Sequence, residues 1–126
     1  ARSIESYKDY GRCVSISNGV IEAYVTVDLG PRIIRFGFVD GENIMSDNRK
    51  AFAPMTDKIY TDYFGVGKAW ESFGGHRVWL TPESYPETYT PDDEKVIYTV
   101  TENGAIFEAN DDIKNGVKKS FEIMEV

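Results

Sequence analysis

The chain has 126 residues, of which 41% are hydrophobic and 13% aromatic, and a formal net charge of −7; that is the size of one domain with one real core. The acidic balance, with no Lys/Arg-rich window, argues against a nucleic-acid partner, because phosphate recognition needs a concentrated basic patch. No apolar run approaches the roughly 20 residues that span a bilayer, so no membrane association is expected, and the single cysteine, Cys13, excludes an internal disulfide framework.

In chain order, residues 1–11 are polar, with Tyr7 and Tyr10, and read as a lead-in. Residues 12–17 form a short strand whose apolar members are Cys13, Val14 and Ile16, with Cys13 expected as a buried small hydrophobe. Asn18-Gly19 predicts a two-residue hairpin turn with positive φ at both positions. Residues 20–27, rich in β-branched and aromatic side chains, form the next strand. Asp28-Leu29-Gly30-Pro31 turns the chain into a third strand at 32–39, so the first third is an antiparallel meander. Residues 44–72 are punctuated by Gly, Pro, Asp and Asn without a clean period. They read as a long loop holding a short strand or a single helical turn.

Residues 83–94 carry Glu83, Glu87, Asp92, Asp93 and Glu94 with no basic residue, the pattern of a solvated acidic face. Strands follow at 95–101, 105–109 and 117–126; the last alternates, with Val117, Lys119, Phe121, Ile123 and Glu125 on one side. Six or seven short strands with no long amphipathic helix make an all-β protein, an antiparallel sandwich or a portion of one, in a single domain spanning 1–126. The final strand runs into the last residue, and an unpaired edge invites a partner strand, so a homo-oligomer through an exposed strand edge is one expectation.

The chemistry-bearing residues gather in Phe73-Gly74-Gly75-His76-Arg77-Val78-Trp79-Leu80-Thr81-Pro82-Glu83. If this piece is extended, Arg77, Trp79 and Thr81 share one face and His76, Val78 and Leu80 the other. Histidine titrates in the physiological range, which makes His76 the natural proton carrier, with Glu83 or Glu71 as a carboxylate partner; alternatively it packs or bonds a carbonyl. Arg77 offers a planar fork for a carboxylate, a phosphate or paired hydroxyls, or else forms a surface salt bridge. Trp79, Trp70, Tyr85 and Tyr89 could stack on a sugar ring or serve as ordinary core. Glu83 is either a catalytic carboxylate or part of the acidic run. One His and one Cys cannot build an ordinary zinc site. Asp92-Asp93-Glu94 and Asp111-Asp112 lack EF-hand spacing, and there is no nucleotide-binding loop or serine elbow. Neither a metal nor a cofactor is expected.

Gly30-Pro31-Arg32-Ile33-Ile34-Arg35-Phe36, the Gly74-Gly75-His76-Arg77-Val78-Trp79-Leu80-Thr81-Pro82-Glu83 block, Thr88-Tyr89-Thr90-Pro91-Asp92-Asp93-Glu94 and Asn115-Gly116-Val117-Lys118-Lys119 together resemble an uncharacterised bacterial family, a domain of unknown function, of the galactose mutarotase-like superfamily. The resemblance implies a β-supersandwich with a carbohydrate cleft on one sheet, of which this chain would be the N-terminal portion. It also implies ring opening and closure by a general acid and a general base, as in aldose 1-epimerases. On that basis His76 is expected as the acid, with Glu83 a weaker catalytic candidate, and Arg77, Trp79, Tyr89 and Arg32 as substrate contacts. In the aldose epimerases the second histidine and the glutamate base lie further along than this chain reaches. The alternatives are a non-catalytic sugar-binding module and a structural β domain assembling through an open edge.

Overall fold

The computed structural model describes residues 2–50 and 52–126. Four strands, β1 (Arg2–Ser6), β2 (Arg12–Ser17), β3 (Ile21–Thr26) and β4 (Ile33–Phe38), lie side by side in chain order. Each pairs antiparallel with the next. A second antiparallel sheet runs β5 (Ile97–Val100), β6 (Gly104–Glu108), β7 (Ser120–Met124). The one α-helix among the described residues, α1 (Lys58–Phe64), stands between them in the chain. The architecture is all-β, as the short strands and frequent turn residues predict.

The meander of β2, β3 and β4 forms where the alternation of Val, Ile and aromatic residues places it. Two expectations need correction. Residues 2–6 are an edge strand rather than a lead-in: Ile4 pairs with Val14, and most of the strand's side chains are exposed. With almost nothing to bury, β1 is held by its main chain and leaves no apolar alternation to read. The β2–β3 turn has positive φ at Gly19 alone, and its central pair is Gly19-Val20. Asn18 stands before them, and its side-chain oxygen accepts hydrogen bonds from the amides of Val20 and Ile21 at 3.0 and 2.9 Å. A loop with glycine first needs only that one positive φ.

The core has two parts. Val14, Ile16, Val25 and Val27 from the four-stranded sheet meet Val96, Ala105 and Phe107, with Phe121 and Ile123 packed against them; this joins the sheets face to face. The opposite face of the first sheet is not left to water. There Cys13 and Ile34 pack with Tyr10, Leu29 and Phe73, which arrive from connecting segments. Being covered on both sides explains why β2 is buried at four consecutive residues.

The 44–72 segment holds a bridge between Met55 and Trp70, with α1 inside it. The helix starts at Asp57, whose carboxylate accepts from the Tyr60 amide at 2.9 Å, and stops at Gly65. Tyr60 is the helix's fully buried anchor, and its hydroxyl donates to the Tyr89 carbonyl at 2.7 Å.

A candidate ligand site at the double glycine

Phe73 is driven into the second core cluster, and its carbonyl accepts a hydrogen bond from the Tyr10 hydroxyl. The chain must then cross from that cluster to the start of β4 in three residues, between two stretches of backbone. The Gly75 amide donates to the Ser46 carbonyl at 2.7 Å, and His76 exchanges two bonds with Ile33, at 2.9 and 3.0 Å. A β-carbon on Gly74 would strike the Ser46 carbonyl oxygen, and one on Gly75 the Ile33 carbonyl oxygen; both residues also have positive φ. Only glycine fits such an approach.

Beyond His76 the expected strand does not continue: residues 77–80 leave the ladder. His76 is exposed and Arg77 buried, yet both line the same cavity. Arg77 and Trp79 meet all the same, with the guanidinium carbon 3.6 Å from the Trp79 ring centroid.

The Arg77 ion pair is not a surface one. Its side chain is 5% exposed and its partner Asp92 12%. Asp92 also receives Lys119 Nζ at 3.3 Å, and Lys119 reaches the Thr90 hydroxyl at 3.3 Å. The acidic run at 83–94 is therefore not uniformly solvated: Asp92 turns inward and holds two cations. The cause is invisible locally, because both cations come from distant parts of the chain.

Arg32, at the entry to β4, is 3% exposed. Its Nη1 donates to the Gly74 carbonyl at 3.0 Å, and its guanidinium lies 4.7 Å from the Phe73 ring centroid. Burial, and after it the positive charge of Arg77, pull its pKa down to about 10, which leaves it charged at neutral pH.

These side chains surround one cavity of about 220 Å³, walled by Arg32, Arg77, His76, Trp70 and Trp79 and floored by Ser72, Gly74 and Gly75. Three of the expected ligand contacts, Arg32, Arg77 and Trp79, thus converge with His76. Two expected residues do not join them. Tyr89 packs edge-on against Trp70, Trp79 and Tyr85, with ring centroids 5.2–5.6 Å apart, and so backs the wall rather than lining it. Glu83 is exposed beside Tyr89, and after burial its charge is the largest influence raising that tyrosine's pKa. No carboxylate lines the cavity, so His76 has no acid–base partner there among the described residues. Ser72, Asp92 and Lys119 belong to the site or its support and carried no sequence signal beyond residue type.

Among the described residues, Arg32 Nε and Nη2, Arg77 Nη2 and Trp70 Nε1 are buried side-chain donors without a hydrogen-bond partner, and all three residues line this cavity. Asp93, Glu94, Asp111 and Asp112 share a different hollow of about 180 Å³. No three metal-ligating side chains come together among the described residues.

Compared with models of known protein families, with curated proteins and with solved structures, the chain matches none.

Proposed function

We propose that the chain is a carbohydrate-binding protein that takes a monosaccharide or a terminal sugar unit in the cavity at Gly74-Gly75, with Trp79 and the two arginines as contacts. The observation that carries this reading is the convergence of Arg32, Arg77, His76 and the half-exposed Trp79 on a single cavity. An aromatic plane beside planar hydrogen-bonding forks suits a ring with one apolar face and a rim of hydroxyls. At about 220 Å³ the space lies below the roughly 300–1,000 Å³ of drug-sized sites, which favours one sugar unit over an oligosaccharide. The motif resemblance to the galactose mutarotase-like superfamily points the same way.

Binding is favoured over turnover, because opening a sugar ring needs an acid and a base together and His76 stands alone on the cavity wall. Titration of tryptophan fluorescence with a panel of neutral and acidic monosaccharides tests the reading. Saturable binding is expected, weakened at least about tenfold in Trp79→Ala, the scale of losing a central aromatic contact. Absence of saturable binding by every sugar in the panel would overturn it. Polarimetry on α-D-glucose should show no protein-dependent acceleration, and acceleration abolished by His76→Ala would restore the mutarotase reading.

A further inference from the structure

We infer that the site is built for an oxyanion, so that the sugar it takes is an acidic one whose carboxylate or phosphate sits between the guanidinium groups of Arg32 and Arg77. The inference rests on the carbohydrate reading for the remainder of the ligand and stands on its own for the anionic group.

Both arginines are more than nine-tenths buried. A guanidinium carries five N–H donors and no acceptor. Of these, Arg32 commits Nη1 to the Gly74 carbonyl and leaves Nε and Nη2 without a protein acceptor. Arg77 commits Nη1 to Asp92 and leaves Nη2 unmatched. The indole N–H of Trp70, on the same wall, is a further unmatched donor. Leaving charged donors buried and unpaired is among the costlier local arrangements in a fold. Four of the five such donors among the described residues belong to side chains around one cavity, the fifth being Arg2 Nε on the edge strand β1.

The charge balance makes the same point. Asp92 is shared by Arg77 and Lys119. Arg32 adds a third cation close enough to feel the charge of Arg77. Three cations therefore face one carboxylate, within a chain whose formal net charge is −7.

A neutral sugar hydroxyl could accept one of the free N–H groups, but it would bring a donor of its own and no charge. A carboxylate or phosphate supplies only acceptors, matches the planar fork with two oxygens, and offsets the excess positive charge, so the acidic group wins on both counts. Gly74 and Gly75 contribute only backbone to the lining of the cavity. The geometry suits planar and tetrahedral oxyanions alike; the experiment separates them.

Isothermal titration of the full chain at low salt with D-glucuronate, D-glucose 6-phosphate, D-glucose and inorganic phosphate tests the inference. At least one acidic sugar should bind at least about tenfold more tightly than D-glucose, and Arg32→Lys, which keeps the charge but loses the fork, should shrink that advantage by about the same factor. The tighter of the two acids identifies carboxylate or phosphate. Equal affinity for glucose and both acidic sugars overturns the oxyanion inference while leaving the carbohydrate reading intact. Inorganic phosphate bound as tightly as glucose 6-phosphate, without measurable binding of glucose or glucuronate, supports the oxyanion and sinks the carbohydrate reading. No binding of any of the four overturns both. If Arg32→Lys does not fold by near-UV circular dichroism, the order of wild-type affinities decides alone.

Discussion

A β-carbon added at Gly75 would meet the Ile33 carbonyl oxygen, which already accepts the His76 amide in the bridge that carries the site. Gly19 provides the comparison, since it too has positive φ but nothing lies within 4 Å of the place a β-carbon would take. Substituting Gly19 by alanine should therefore cost only backbone strain, about 1 kcal/mol. Gly75→Ala carries the same strain and must also push main chain apart, so its cost should exceed that of Gly19→Ala by at least about 1–2 kcal/mol. Urea unfolding of the two variants measures the difference, and equal costs would mean that the crossing at residue 75 is not as tight as described. At this scale the glycine pair is first a packing necessity. The segment that cannot carry side chains also lines the cavity.

Elements differ in how far their causes are local. Strands β2, β3 and β4 are legible because β-branched and aromatic residues are dense along them, and β2 is buried at four consecutive positions. Strand β7 is legible because burial alternates along it and the residue types follow. Strand β1 has no buried face and was invisible. In the site, the residue types drew attention to His76, Arg77, Arg32 and Trp79, but Asp92 turns inward only because Arg77 and Lys119 reach it across the fold. Helix α1 lies between these extremes. Its cap is local, yet Asp57 also accepts the Tyr85 hydroxyl at 2.6 Å and so fastens the helix to the loop behind the aromatic wall. That bond, ahead of burial, raises the Tyr85 pKa to about 12. In Asp57→Ala the Tyr85 hydroxyl should titrate closer to the ordinary 10.0 in an ultraviolet pH titration, and the Tyr60 amide should lose protection from hydrogen exchange. A Tyr85 titration unchanged by the substitution would show that the helix and the loop are not joined through this residue.

At the level of the whole molecule, the sheet-to-sheet core and the cover that carries the site answer to different forces. Val25, Phe107 and their neighbours join the sheets by burial alone, and burial does not titrate. The cover over the outer face depends on ionisable groups. Asp47, next to the Ser46 carbonyl that receives Gly75, accepts from Tyr7 and pairs with Lys8. The hydrogen bond from Lys8, then that from Tyr7, pull its pKa from 3.8 down to about 2. A carboxylate depressed on folding contributes stability that is complete above its unfolded pKa and is lost as pH falls through the folded one. For Asp47 that window runs from 3.8 down to about 2. On the alkaline side, burial lifts Tyr10, whose hydroxyl tethers Phe73, from 10.0 to about 12, so its contribution is complete below the first value and lost on rising through the second. Acid should accordingly loosen the site before it opens the sandwich. In hydrogen exchange followed by NMR as pH falls through that acid window, the Gly75 and His76 amides should lose protection while the amides between β2 and β3 keep theirs. Asp47→Asn should lower Gly75 and His76 protection at neutral pH and remove its dependence on pH in that window. Simultaneous loss of protection in both regions would mean that cover and sandwich form one cooperative unit, with the cavity as rigid as the core beneath it.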